Sequence, residues 1–527
     1  MTASNPQLGL RKRMMINTLS NYGKMILGIG ITIFMTRILF LGLSREEYGF
    51  WALLWSIFGY SLLLDFGFGA SIQKYTSETI VSQNWEKYNR IVSTVFFNYA
   101  IFGLLIVAAT VVLNINLHRL FSFDAANTEY FRKVLLIFGI GSAITFPFGF
   151  FTEILRGMQK MHARNVVQTT FMIINFVGMA LMIRLKWNLT GMAFVAIGVN
   201  LSACFTMMYI VHRMLPEFHI RLRFYDRSLL RSVMGFSLYA YLITFTNIII
   251  LKTDQLVISV FGSVALVAVY QISVRLADTY QKFSAQFLDN LGPVSATLFA
   301  AGNKNKMAEI MLQSNRLMGI ISTMMVIPLI VFVKPLLNIW LNLNDRAGMI
   351  CAVILLISMY ILLFFRSSSV YILLMANEQK ILARIALIEA VANLGLSIFL
   401  IFNIESIFQY LGINIPNSAI IGVSIGTIIP NVLFAIFFNV PKACRFANIT
   451  IAQYFKTAVL RTLVIGAASF GFAWLIYHFA YPQRLLTVLI YTIMTGVFYL
   501  ILTYFLGLEG WEQKQITGFI RVRLHKT

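Results

Sequence analysis

The chain is poor in charge: Asp, Glu, Lys and Arg together make up only 12% of its 527 residues. A soluble globular protein carries roughly twice that share, because its surface must face water. The soluble classes are therefore excluded. Acids are the scarcer sign, 20 against 42 basic residues. No Asp-x-Asp triplet occurs, which argues against the aspartate-rich metal site of a membrane glycosyltransferase. Cysteine is nearly absent, with Cys204, Cys351 and Cys444 far apart, and the six histidines show no ligand spacing. Neither a disulfide framework nor a metal centre is expected, and no cofactor is implied. Long polar stretches are also missing. Fourteen crossings of roughly 22 residues leave about 15 for each connection, too few for an attached ATPase, a kinase or a sizeable catalytic domain. After Arg11, Lys12 and Arg13 the apolar run outlasts a signal-peptide core and no convincing cleavage site follows. The reading is an uncleaved first crossing with a cytosolic tail.

What fills the chain is apolar: 59% is hydrophobic and the mean hydropathy is +0.78. Runs of spanning length occur at 14–40, 48–72, 91–114, 134–155, 166–183, 190–211, 232–261, 264–298, 307–333, 347–376, 384–402, 418–438, 457–480 and 485–506. They predict an all-α polytopic membrane protein with about fourteen transmembrane helices. The basic residues test that count independently. With an inside start, 27 Lys and Arg fall in the cytosolic loops and tails, and ten fall on the opposite side. Adding or dropping a crossing would scramble this asymmetry, so both termini are expected in the cytosol. The net charge of +22 is thereby a topology signal. No nucleic-acid partner is expected, since no basic stripe interleaved with aromatics is present.

The most basic connection, 213–231, lies between the sixth and seventh runs, where a duplicated transporter would join its halves. Leu41-Gly42 followed by Gly49-Phe50-Trp51 is echoed by Phe261-Gly262 followed by Ala268-Val269-Tyr270, a weak internal repeat. The expected organisation is a first lobe over 1–212, a basic cytosolic linker over 213–231, a second lobe over 232–438, two further crossings over 457–506 and a cytosolic tail over 507–527. The linker could hold anionic head groups, although topology alone accounts for most such clusters. Pro147, Pro328 and Pro430 fall inside crossings four, nine and twelve, where kinks are expected.

Charges inside the spans carry the functional information, because each costs about 2.5–3.5 kcal/mol at a helix centre unless it faces water or a partner. Nine lie there: Lys24, Asp65, Lys252, Asp254, Arg275, Asp278, Lys282, Arg366 and Glu389. On the eighth run Gln271, Arg275, Asp278, Lys282, Gln286 and Asp289 recur at steps of three and four, so they share one face over about 27 Å of helix. Such a stripe lines an aqueous path, or forms i,i+3 and i,i+4 pairs that hold helices together. Lys24, Lys252 and Arg366 are each expected about 15 Å from an interface. Deep cations suit an anionic group such as a pyrophosphate, to which arginine offers a bidentate fork; alternatively, acids on other helices such as Asp65 or Glu389 neutralise them. The candidate substrate residues are thus Lys24, Lys252, Gln271, Arg275, Lys282, Gln286 and Arg366. Asp65, Asp254, Asp278 and Glu389 are the ion-coupling candidates.

The segment from Leu41-Gly42 through Glu47-Tyr48-Gly49, Trp51-Ala52-Leu53, Gly59-Tyr60 and Leu64-Asp65-Phe66-Gly67 to Lys74-Tyr75 resembles the start of the polysaccharide transporter family. These are the Wzx-type lipid-linked oligosaccharide, or O-antigen, flippases of the MOP superfamily. Asp254-Gln255-Leu256, Phe261-Gly262 and Tyr270 are similar to that family's seventh and eighth crossings, whereas Ala268 stands where its glycine is expected. The resemblance implies two pseudo-symmetric six-helix lobes around a central cavity, plus two C-terminal helices. It implies transfer of an undecaprenyl-pyrophosphate-linked glycan across the inner membrane for surface polysaccharide such as lipopolysaccharide, by alternating access coupled to an ion gradient or membrane potential. The lipid-linked glycan, membrane lipids and a polysaccharide polymerase and co-polymerase are the partners it suggests. The competing classes are an ion-coupled multidrug or cation exporter, a lipid II-type flippase, and a membrane glycosyltransferase or polymerase. The first would need acids to dominate its cavity. The enzyme would need a long outer loop, and the chain is read as a non-enzyme.

Overall fold

The computed structural model describes residues 6–230, 238–285, 304–375, 378–508, 510 and 512–513. Eleven of its helical segments are long and apolar enough to cross a membrane. They are α1 (Ser20–Gly42), α3 (Trp85–Ile115), α4 (Ala125–Gly157), α5 (Met161–Arg184), α6 (Leu189–Met214), α9 (Met307–Val331), α10 (Arg346–Leu374), α11 (Gln379–Tyr410), α12 (Ala419–Phe446), α13 (Ile451–Phe479) and α14 (Leu485–Gly507). A pair bent by 49°, Arg45–Asp65 with Phe68–Ser82, passes as one further span, α2. Helices α7 (Leu238–Phe261) and α8 (Val264–Ala285) fall outside that test; α8 in particular carries Arg275, Asp278 and Lys282. Counted as crossings, they complete the fourteen expected from the sequence.

The chain forms two compact units, Met1–Ala268 and Val269–Thr527. The division lies within α8. The sequence places α7 with the second half, yet by packing it belongs to the first unit, because it is hydrogen-bonded along α2. Ser56 Oγ donates to the carbonyl of Lys252 at 2.7 Å, the Tyr60 and Thr253 hydroxyls meet at 2.7 Å, and Tyr241 OH donates to the carbonyl of Leu63 at 2.5 Å. The two repeat-like segments face one another here. A Cβ on Gly49 would lie 1.9 Å from the carbonyl oxygen of Val264 and 3.3 Å from the amide of Ala268, so only glycine admits this approach of two backbones. The turn after α7 is fastened further by Val264 N–H to the Ser122 carbonyl at 2.9 Å.

One end of the first unit is an aromatic core in which Phe68, Tyr88, Phe150, Phe151 and Phe218 are buried. In α2 the helix breaks at Phe66 and Gly67, both left-handed at φ 45° and 80°. In α4 Pro147 sits in a 3-10 turn, Phe146–Gly149.

In the second unit α11 and α12 pack closely because glycines remove the side chains between them. A Cβ on Gly422 would meet the Leu400 carbonyl at 2.7 Å, and one on Gly426 would meet Ser397 Oγ at 2.5 Å, the small-xxx-small arrangement of membrane helices. Four π-helical turns interrupt this unit, at Leu362–Arg366, Ala435–Asn439, Phe455–Val459 and Thr503–Gly507. Helices α13 and α14 stack Phe472 on Phe498 at 4.2 Å and flank α9, where Gly466 approaches Thr323 and Tyr491 meets Phe332. Beyond α14, Glu512 forms a buried ion pair with Arg316 of α9.

Gly49→Leu must part α2 from the α7–α8 turn, an overpacking cost of about 1–3 kcal/mol. The melting temperature of the purified protein is expected to fall accordingly. Gly23, with nothing within 4 Å of its would-be Cβ, is expected to accept leucine with no such loss.

Candidate functional site

In the first unit the start of α1, the end of α4 and the start of α5 bring three cations together. Lys24 of α1 donates to Gln168 Oε1 of α5, and Arg164 Nε reaches the same oxygen at 3.4 Å. Arg156, at the end of α4, is near enough for its charge to act on both. One acid, Glu153, holds Arg156 at 3.1 Å, while the Arg156 Nε is buried without a hydrogen bond among the described residues. Beside them Asn165 Nδ2 donates to Asn21 Oδ1 at 2.5 Å and to Ser20 Oγ at 3.1 Å. Like charges gathered in a membrane segment are unfavourable without an anion to share, which makes this cluster a candidate anion site. Of its members only Lys24 is among the residues read from the spans. Arg156 and Arg164 look in sequence like ordinary cytosolic-loop charges.

Asp65 is bound up with the break in α2. Its Oδ1 accepts from the Gly69 amide at 3.1 Å and from the Tyr99 hydroxyl, so it caps the restarting helix. A Cβ on Gly69 would lie 3.3 Å from Glu153 Cγ and 3.4 Å from Asp65 Oδ1. The glycines of Leu64–Gly69 thus let an acid, a helix end and α4 meet in one place.

On α7 the stem of Lys252 lies over Gly59, 3.5 Å from its would-be Cβ. Asp254 and Gln255 are buried, at 5% and 2% exposure. On α8 the stripe is graded: Gln271 is buried, Arg275 and Asp278 are half-buried and Lys282 is exposed, whereas Ile272, Ser273 and Ala277 on the opposite side are fully buried. Among the described residues no carboxylate lies within ion-pair distance of Arg275 or Lys282, so the stripe is not closed by pairing along its own helix. Gln286 and Asp289 lie outside the described residues.

In the second unit Arg366 closes the π turn of α10, and its Nη1 donates to Glu389 Oε1 of α11 at 2.6 Å. Arg366 is therefore compensated by an acid 23 positions on in the chain. Glu389 is 1% exposed and its Oε2 has no hydrogen bond among the described residues. One turn further, Asn393 Nδ2 donates to Thr427 Oγ1 at 3.1 Å, and its Oδ1 is likewise buried without a hydrogen bond.

Among the described residues the chain is all-helical with charge held inside its crossings, a multi-pass membrane protein, and solved structures agree on the fold. A multidrug resistance MATE family transporter of the MOP superfamily, inward-facing, aligns with TM-score 0.62 at 15% identity over 82% of this chain and 96% of its own. The lipid II flippase MurJ in an inward closed conformation aligns with TM-score 0.62 at 14% identity over 93% and 98%. A MOP superfamily transporter from Pyrococcus furiosus, described as having a binding pocket of reverse polarity, aligns with TM-score 0.53 at 14% identity over 84% and 94%. No curated protein matches the chain. The profile of the polysaccharide biosynthesis proteins matches residues 34–343, more than half of the sequence, and the chain belongs to that family.

Removing one member of a buried ion pair leaves the other uncompensated, at about 3–5 kcal/mol. Arg366→Ala and Glu389→Ala are each expected to lower the amount of inserted protein in membrane fractions. The double variant is expected to recover most of it. Equal levels in all three would show that the pair is not needed for stability.

Proposed function

We propose that the protein is a flippase that carries an undecaprenyl-pyrophosphate-linked oligosaccharide from the cytosolic to the outer leaflet of the inner membrane, for surface polysaccharide such as O-antigen. It works by alternating access and makes or breaks no covalent bond. The observation that carries this reading is the convergence of Lys24 and Arg164 on Gln168, with Arg156 near enough for its charge to act on both. A pyrophosphate diester carries one negative charge on each of its two phosphates; two guanidiniums and an ammonium, less the one acid paired among them, leave two positive charges to meet it. Arg164 and Arg156 supply forked donors, Lys24 a point charge, and Gln168 keeps the first and last of these apart until substrate enters. The graded stripe of Gln271, Arg275, Asp278 and Lys282 supports a wetted path for sugars and phosphate. Arg366 is assigned to holding Glu389 instead of substrate.

An exporter of cationic compounds is disfavoured because three of the interior acids are already engaged through at least one oxygen. Asp65 is held by Tyr99 and Gly69, Glu153 by Arg156, and Glu389 by Arg366. Glu389 is the favoured coupling residue. One oxygen keeps the arginine while the other, buried beside Asn393, can take up the proton or cation whose gradient drives the cycle.

Deleting the gene should leave a lipid-linked glycan accumulating on the cytosolic leaflet. Complementation with Arg164→Ala or Lys24→Ala is expected to restore less than a tenth of surface polysaccharide at normal protein levels. Arg164→Lys should restore part of it, since charge survives without the fork. Full export by inserted Lys24→Ala and Arg164→Ala proteins would remove the cluster from the substrate path.

A further inference from the structure

The connection between α6 and α7 is built more firmly than a topology signal requires. Asn89, Ser93 and Thr94, buried along one face of the start of α3, hold its main chain. Asn89 Nδ2 donates to the Glu217 carbonyl at 2.8 Å while its Oδ1 accepts from the His219 amide at 2.9 Å. Ser93 Oγ accepts from the Arg221 amide at 3.1 Å and Thr94 Oγ1 from the Asp226 amide at 3.0 Å. Phe218, 2% exposed, is driven into the aromatic core beneath. Asp226 pairs with Arg90 at 2.9 Å. Hydrogen bonds from the Ser228 hydroxyl and amide, followed by the Arg90 charge, hold its carboxyl below the usual range, so this fastening is fully charged at neutral pH.

What the fastened segment displays is Arg221, Arg223 and Arg227, all exposed, with Leu222 70% exposed between the first two and Tyr225 36% exposed after them. The acids near them are Asp226, already committed to Arg90, and Glu217. Positive-inside topology depends on how many basic residues a loop has, and needs no fixed placement of them. A leucine held out between arginines would be unfavourable in water and favourable at a lipid headgroup boundary, where an aromatic and basic side chains also belong.

We propose that the Arg221–Arg227 face is a docking surface for the phosphates of anionic phospholipids in the cytosolic leaflet, with Leu222 entering the acyl boundary. Because the backbone is already ordered, binding an anionic head group there loses little further chain entropy. Each arginine near an anionic surface contributes about a fivefold gain in retention. The surface thereby anchors the inner end of the first unit to the leaflet from which a lipid-borne substrate would arrive. This proposal rests on the cytosolic placement of the linker, and is otherwise independent of what is transported.

The test uses the full-length protein in nanodiscs of phosphatidylcholine with or without phosphatidylglycerol, with retained lipid counted by native mass spectrometry. The wild type should retain phosphatidylglycerol. Arg221→Gln/Arg223→Gln/Arg227→Gln should retain on the order of a hundredfold less, with an unchanged melting temperature in pure phosphatidylcholine. The corresponding triple Lys variant should keep most of it, and Leu222→Gln should weaken it. Equal retention by the wild type and the triple Gln variant would overturn the proposal. So would loss of polysaccharide export in the triple Gln variant with lipid retention intact, which would assign the face to a soluble partner. Placement is read separately, from Glu217→Cys in a background without native cysteines: labelling by an impermeant thiol reagent from outside the cell would overturn the cytosolic assignment alone.

Discussion

A charge carried into hydrocarbon must find its partner on another part of the chain, and the rest of this structure follows from that constraint. Water is not there to solvate it, and the cost of leaving it bare is a sizeable fraction of a protein's whole stability. The second unit meets the demand by pairing across elements: Arg366 of α10 with Glu389 of α11, and Arg316 of α9 with Glu512 beyond α14. The first unit meets it for Asp65 by breaking a helix, so that a carboxylate can accept from the Gly69 amide and the Tyr99 hydroxyl. The left-handed Phe66 and Gly67 and the π turn ending at Arg366 are irregular backbone placed where a polar group has to be aimed.

Among the described residues compensation is incomplete along the α8 stripe, at Arg275 and Lys282, and in a cluster of the first unit. Lys24, Arg156 and Arg164 outnumber the single acid, Glu153, that is paired among them, and a neutral amide separates two of the three. An excess of positive charge at the ends of three crossings can be reconciled with the membrane if an anion is its usual occupant, and in the proposed function that occupant is a phosphate-bearing lipid. Such an occupant also explains why a chain whose fold is shared with a multidrug transporter and a lipid II flippase need not share the substrate of the former, since function lies in the site and not in the fold.

Hydropathy and the placement of basic residues made the crossings legible, including α8, whose charged stripe lowers its apolarity but which is bounded by the turn at Gly262. The site was legible only in part. Lys24 was visible as a charge where lipid should be. Arg156 and Arg164 were hidden because basic residues beside a cytosolic turn are what topology demands everywhere. The partner of Arg366 could be named only as one of two acids, since a helix-to-helix pairing across 23 positions leaves no periodic trace. The π turns have no compositional signature, and the assignment of α7 to the first unit depends on hydrogen bonds from Ser56, Tyr60 and Tyr241 that no pattern announces.

The central claim is that the cluster around Gln168 binds pyrophosphate, and equilibrium binding to the purified protein tests it most directly. Undecaprenyl pyrophosphate and undecaprenol, which lacks the charged head, are titrated against the wild type and against Lys24→Gln/Arg164→Gln. The account predicts that the wild type binds the pyrophosphate at least tenfold more tightly than the alcohol, and that the double variant loses this preference while still binding both weakly. A wild type that does not distinguish the two lipids, or a double variant that keeps the full preference, would contradict it.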